Sequence, residues 1–251
     1  MDTTLDNKEV VVQIQNLRKS FGDNHVLRGF NVDLYKGENL VVLGKSGSGK
    51  SVLIKCIIGL LKQDAGSIEV FGRKVEDMSQ AEMDKMRSRI GFLFQSNALY
   101  DSMTIRENLE FPLRRHKLKK ELDQKSVDNL VLEVLENVGL VHTVDMMPSE
   151  LSGGMRKRIA LARTLILNPD IILYDEPTTG LDPITAKEII ELMLDIQKKY
   201  KTSSIIISHD MYCVSKASNR VVMLIDGTCY LVGAIDEIKQ STDKRVLEFF
   251  D

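Results

Sequence analysis

Residues 39–61, NLVVLGKSGSGKSVLIKCIIGLL, constrain the fold more than any other stretch. A short apolar run leads into Gly44, and Gly44 to Ser51 fit the spacing G-x-x-x-x-G-K-[ST]. Glycines at 44, 47 and 49 allow backbone N–H groups to curl around phosphate oxygens, a shape that side chains would block. A helix opening near Lys50 adds its positive end to the same place. Lys50 supplies a point charge for the β- and γ-phosphates of a nucleotide, and the Ser51 hydroxyl can ligate Mg²⁺. With Lys45, Ser46, Ser48 and Val52 these residues make a candidate nucleotide-binding set. The context supports it: a buried strand precedes the loop and an apolar helix follows, which a merely flexible Gly/Ser loop would not need.

A loop of this kind needs an α/β core, and the rest of the chain supplies one. EVVVQIQNL places Val10, Val12 and Ile14 on one face at period two. HVLRGFNVDLYKGE and GSIEVFG read as further strands, so the first 75 residues are mostly β. The middle is helical. Ser79 with Glu82, and Thr104 with Glu107, have capping-box spacing. Val127, Leu130, Val131, Val134, Leu135 and Val138 follow a helical period, and a further helix runs from LSGG to Thr164 or Leu165. DIILYDE, TAKEIIELMLDIQKKY and SSIIISHD then form a strand–helix–strand unit, which points to a parallel sheet. RVVMLIDGTCYLV reads as a hairpin turning at Asp226-Gly227, and short helices end the chain.

Composition removes several classes. With 251 residues, 43% apolar and 28% charged, the chain is a globular protein with a substantial core. A net charge of −2 gives no general affinity for nucleic acid. No apolar run approaches the roughly 18–20 residues needed to span a bilayer. The acidic start, MDTTLDNKEV, resembles neither a secretory leader nor a transit peptide. Cys56, Cys213 and Cys229 are widely separated, as expected of reduced thiols in a cytosolic protein.

Two further stations carry chemistry. IILYDEP ends an apolar strand with adjacent acids, Asp175 and Glu176. Consecutive strand residues point opposite ways, so the two acids are expected to divide the work. Asp175 would reach Mg²⁺, directly or through water, and Glu176 would orient and deprotonate an attacking water. Alone, the pair could equally be two solvated acids at a strand end. LSGGMRKR opens a helix; Ser152 can serve simply as its N-cap. A cap does not require two following glycines, however. Ser152 with the amides of Gly153 and Gly154 makes a second phosphate-binding surface at a helix's positive end. Two half-sites for one γ-phosphate are reconciled in a dimer, where each nucleotide meets one chain's phosphate loop and the other chain's LSGG.

With these motifs in order, the chain resembles the nucleotide-binding subunit of an ABC (ATP-binding cassette) transporter over essentially its whole length. The resemblance implies a P-loop NTPase fold of the ABC ATPase type, α/β, with a mixed core sheet, an antiparallel β subdomain and a helical subdomain. The core and β subdomain would take roughly residues 1–95 and 165–251, and the helical subdomain roughly 96–164, within a single domain. Phe21 is similar to the aromatic residue that stacks on adenine, and Gln95 to the Q-loop glutamine that senses Mg²⁺. Ser152, Gly153, Gly154 and Met155 match the signature motif acting in trans, Asp182 in TGLD the D-loop, and His209 in SHD the switch histidine at the γ-phosphate. Glu176, His209 and Lys50 are then the catalytic set, with Ser51, Gln95 and Asp175 at the metal. The resemblance also implies ATP with Mg²⁺, ATP hydrolysis coupled to transport, a nucleotide-sandwich dimer of two copies, and a permease docking near Gln95 to Met103.

FQSNALYDSMTIRENLEFPLR, LSGGMRKRIALAR and LYDEPTTGLDPITA are similar to one subgroup, the ATPases of Mla-type lipid systems. That resemblance implies lipid cargo, an MCE-domain protein beyond the permease, and a peripheral place on the cytoplasmic face of the cell membrane. Met155 stands where glutamine is usual; it marks the subgroup, and its own chemistry is unexplained. STDKRVLEFF is similar too, with no long tail expected to exchange between subunits. The alternatives are an amino-acid or lipoprotein transporter ATPase, and a soluble ABC protein of ribosome or DNA. Near-neutral charge and a single cassette speak against the last.

Overall fold

The computed structural model describes residues 8–115 and 123–250. Residues 1–7, on which most of the expectation about leader sequences rests, lie outside them. The chain forms two compact units, residues 1–83 with 202–251, and residues 84–201.

In the first unit, β1 (Val10–Phe21) and β2 (Asn24–Tyr35) make a long antiparallel hairpin. β3 (Asn39–Leu43) follows, then β4 (Ala65–Val70) and β5 (Arg73–Lys74), which extend the hairpin in the order β2-β1-β4-β5. The alternation expected for β1 holds at Val12 and Ile14, each 1% exposed, but fails at Val10, which is 37% exposed. The register against β2 shifts between Val10 and Val12, and this irregularity turns Val10 off the buried face.

All five residues of β3 are buried, and β3 runs parallel to both β8 (Ser203–Ser208) and β9 (Arg220–Ile225). A strand covered on both sides and both faces needs continuous apolar residues, and NLVVL provides nearly that. β10 (Thr228–Gly233) returns antiparallel to β9, making the sheet mixed. The turn uses Asp226 at φ +52° and Gly227 at φ +75°, the left-handed pair that a two-residue hairpin requires.

Helix α1 (Lys50–Ile57) is shorter than its apolar sequence suggests. Gly59, at φ +64°, ends it. The Leu60 N–H donates to the Lys55 carbonyl at 2.8 Å and the Gly59 N–H to the Cys56 carbonyl at 3.0 Å, the paired bonds of a Schellman cap.

The chain passes from the first unit to the second through α2 (Gln80–Ser88), which carries the expected capping box: Ser79 N–H donates to Glu82 at 2.8 Å. In the second unit, β6 (Ile90–Leu93) pairs in parallel with β7 (Ile171–Asp175). Four helices accompany them: α3 (Ile105–Arg115), α4 (Gln124–Asn137), α5 (Gly153–Leu165) and α6 (Pro183–Tyr200). Thr104 and Glu107 cap α3 reciprocally, at 2.8 and 3.2 Å. Of the six apolar positions expected to define α4's buried stripe, Leu130 alone sits at its edge, half-buried; the other five are buried. Back in the first unit, α7 (Met211–Ala217) follows β8, and α8 (Ile235–Lys239) and α9 (Lys244–Leu247) end the chain. Among the described residues, no helix is long and apolar enough to cross a membrane.

Candidate functional site

The phosphate loop lies in the first unit, between buried β3 and α1. Lys50 is only 6% exposed, and its ammonium donates to the Gly44 carbonyl at 2.7 Å and the Lys45 carbonyl at 3.1 Å. The cation therefore spans its own loop and holds it curled. Gly47 (φ +77°) has no atom within 4 Å of the position a Cβ would take, so its backbone faces open space. Gly49 (φ +101°) is the N-cap of α1 and packs so closely on β2 that a Cβ would lie 2.6 Å from Val26 Cγ1. No side chain caps α1, and no acid occupies its first turn. The positive end of the helix thus faces the loop without a competing carboxylate, which suits an anion. Ser48 Oγ is buried and has no hydrogen-bond partner among the described residues. A curled loop, a helix start without a side-chain cap, the buried Ser48 hydroxyl and a buried ammonium fit a triphosphate. Ser51, in the same unit, carries a hard oxygen donor of the type Mg²⁺ takes alongside substrate phosphates.

Phe21 ends β1 and is 49% exposed, and Lys19 Nζ sits 5.4 Å from its ring centroid. An exposed aromatic at a strand end offers a face for stacking. His209 directly follows β8 and is exposed, while its neighbour Asp210 caps α7 by accepting from Tyr212 N–H at 2.9 Å.

The second unit holds the other stations. Asp175 is the last residue of β7, and Asp175 and Glu176 are 7% and 9% exposed. The pleat of β7 does not set the divergence of the two acids, contrary to the expectation from the sequence. Glu176 lies beyond the strand, at φ +50°, so a left-handed backbone rather than the strand's pleat sets its direction. That conformation is uncommon for any residue but glycine. Thr179 Oγ1 donates to Glu176 Oε2 at 3.3 Å. Gln95 lies just past β6, exposed, and its carbonyl accepts from Lys157 Nζ at 3.0 Å.

Ser152 is the N-cap of α5, accepting from Met155 N–H at 3.2 Å. The two glycines that follow have different tasks. A Cβ on Gly154 would meet Thr185 Cγ2 at 2.6 Å, so Gly154 allows α5 and α6 to approach. Gly153 has nothing within 4 Å and exposes its backbone. Met155 is half-buried behind them. Asp182 is the N-cap of α6, accepting from Ile184 and Thr185 N–H groups at 3.0 Å each and from Thr185 Oγ1 at 2.6 Å. These bonds, led by the Thr185 hydroxyl, hold its carboxyl below the usual aspartate range.

Three residues that motif reading passed over organise the second unit. Arg163 donates to the Asn97 and Ala98 carbonyls at 2.9 and 2.7 Å. These two residues both have positive φ, so the guanidinium steadies an unusual backbone. Asn108, fully buried, accepts from Tyr100 N–H at 2.8 Å and donates to the Tyr100, Met103 and Thr104 carbonyls. Together they hold loop 96–103 in shape. Lys157, 1% exposed, is the third. Burial pushes its ammonium down to about 8, with the Asp175 carboxylate pulling the other way. An unfolded lysine titrates near about 10.4, so between these values the unfolded chain binds more protons and stability rises with pH. The wild-type minus Lys157→Met difference in unfolding free energy should therefore climb from about pH 8 to about pH 10.4, measured by urea unfolding. A flat difference would show that the ammonium is not held down.

A family profile described as ABC transporter matches residues 27–179. The chain belongs to the ABC transporter ATP-binding family. As an ABC ATPase it binds ATP with Mg²⁺ and hydrolyses it. Similar proteins include the probable ribonucleotide transport ATP-binding protein mkl of Mycobacterium leprae, 37% identical over 96% of this chain and 69% of that protein. The methionine import ATP-binding protein MetN of Campylobacter jejuni is 36% identical, covering 95% of this chain and 75% of that one. The intermembrane phospholipid transport system ATP-binding protein MlaF of Haemophilus influenzae is 36% identical over 95% of this chain and 89% of that one. Among solved structures, the MJ0796 cassette, described as a dimeric post-hydrolysis state bound to ADP and Pi, is 30% identical with a TM-score of 0.81, covering 89% of this chain and 98% of that one. Cassettes of this family dimerise and work with membrane permeases.

Proposed function

We propose that this ABC ATPase powers lipid transport, of phospholipid above all, through a partner permease joined to an MCE-domain protein. The observation that carries the reading is the similarity of FQSNALYDSMTIRENLEFPLR and LSGGMRKRIALAR to the Mla-type ATPases. The phospholipid-system ATPase MlaF, 36% identical over 95% of this chain, agrees with that reading. A chloroplastic relative from Arabidopsis thaliana named trigalactosyldiacylglycerol 3, 35% identical over 97% of this chain, supports it.

In this reading two copies sandwich two ATP molecules. One copy presents Phe21 to adenine, the amides from Gly44 to Val52 and Lys50 to the phosphates, and Ser51, Gln95 and Asp175 to Mg²⁺. The other presents Ser152, Gly153, Gly154 and Met155 to the γ-phosphate. Glu176 takes the proton of the attacking water, His209 contacts the γ-phosphate, and Asp182 belongs to the loop between the copies. Loop 96–103, held by Arg163 and Asn108 and carrying Tyr100 at 42% exposure, receives a permease helix. The chain then sits peripherally on the cytoplasmic face of the membrane.

The test is purification in gentle detergent from native membranes, identifying proteins and lipids together. A multi-spanning permease, an MCE-domain protein and bound phospholipid are expected. A permease with a solute-binding protein instead would replace the cargo with a small solute, the methionine type being the specific rival.

A further inference from the structure

The carboxyl-terminal segment lies against the phosphate loop within the same unit. Val246 of α9 is fully buried, and Asp243 caps the helix by accepting from Arg245 N–H at 2.9 Å. The Arg245 guanidinium lies 4.2 Å from the centroid of the Tyr230 ring in β10, and the Tyr230 hydroxyl is hydrogen-bonded to Asp243 and Arg245. These anchors fix where the chain emerges from α9. There Glu248 Oε2 accepts from Lys45 Nζ at 2.6 Å, and the same ammonium is 5.9 Å from the Phe249 ring centroid. Arg245, Glu248 and Phe249 line a cavity of about 400 Å³ together with Lys45, Ser46 and Ser48 of the loop.

A carboxylate from the chain's end thus engages an ammonium of the loop built to receive phosphates. Lys45 is integral to that loop, since its carbonyl accepts from Lys50 Nζ and from Ser48 N–H, each at 3.1 Å. Its side chain nevertheless points to the carboxyl-terminal segment. The two side chains are 65% and 54% exposed, and ion pairs this open are weak. Such a contact yields to an incoming polyanion.

We propose that Glu248 is a positioning residue that competes in cis with the nucleotide's phosphates, holding Lys45 on the carboxyl-terminal segment and lowering affinity for ATP. The proposal deepens the ATPase assignment and rests on it. Nucleotide entry exchanges one anion for another at Lys45 and leaves a carboxylate facing the polyphosphate, which favours release after hydrolysis.

The test is equilibrium titration of the full chain with MgATP and with adenosine, which lacks phosphates, for wild type, Glu248→Gln and Glu248→Lys. Removing one negative charge near a polyanion at the surface should tighten MgATP binding about three- to tenfold at low salt. Glu248→Lys should tighten it further, and both gains should shrink at about 0.5 M salt, where screening is strong. Adenosine affinity should stay constant. Unchanged or weaker MgATP binding by Glu248→Gln would overturn the proposal, as would equal tightening of adenosine, which would point to packing instead of charge. Failure of the wild type to bind MgATP at all would overturn the nucleotide reading itself, and this proposal with it.

Discussion

Glu176→Gln should bind MgATP as the wild type does, hydrolyse it about 10²–10⁴-fold more slowly, and accumulate as a closed dimer. Glutamine keeps the shape of the side chain and can still accept from Thr179 Oγ1, which stands 3.3 Å from Glu176 Oε2. It cannot take a proton from water. The backbone gives independent support for a functional role. Glu176 holds φ +50° directly after β7, a conformation that costs a non-glycine residue roughly 1–3 kcal/mol. Folding alone would favour glycine there. Glu176→Gly is therefore the companion variant: it should be as inactive as the glutamine variant yet melt no lower than wild type. Single-turnover hydrolysis, size-exclusion chromatography with MgATP and thermal melts read all three properties. Wild-type turnover in Glu176→Gln would remove the general-base role.

What the sequence disclosed and what it hid divide along the range of the interactions. The phosphate loop, the Ser79–Glu82 and Thr104–Glu107 capping boxes and the Asp226-Gly227 turn are short-range devices. Each is a side chain or glycine acting on backbone a few residues away, so spacing alone reveals it. The departures come from partners distant in the chain or from backbone angles. Val10 leaves its expected face because of the register of β1 against β2. Gly154 is needed because Thr185 lies 2.6 Å from where its Cβ would stand, a reason invisible in LSGG. Lys157 reads as one of three cations on a helix. Only the fold shows it buried, donating to the carbonyl of Gln95, a residue 62 positions away. Arg163 and Asn108 are similarly anonymous in the sequence, yet their bonds to carbonyls of loop 96–103 and its flank shape the expected docking segment. Motifs mark the groups that meet ligand; the groups that hold those motifs in place are defined by tertiary contact.

Ser152→Arg should abolish steady-state hydrolysis while leaving MgATP binding by the isolated chain intact. The serine has a local task, capping α5 through Met155 N–H at 3.2 Å, and losing such a cap costs about 1 kcal/mol. That is too little to unfold a chain with this much buried core. The cap is a bond within the first turn of α5 itself, so lost capping gives no direct reason for lost nucleotide affinity at the phosphate loop. What arginine adds is bulk on an exposed residue beside Gly153, whose backbone faces open space. In a sandwich dimer that space is filled by the nucleotide on the other chain, and arginine blocks closure. Ser152→Ala separates the two effects, because it removes the cap without adding bulk. If capping is the serine's whole role, alanine and arginine should impair hydrolysis alike. If the residue acts across a dimer, alanine should retain much of the activity that arginine destroys. Loss of MgATP binding in the monomeric arginine variant would place the serine in cis and remove the head-to-tail arrangement.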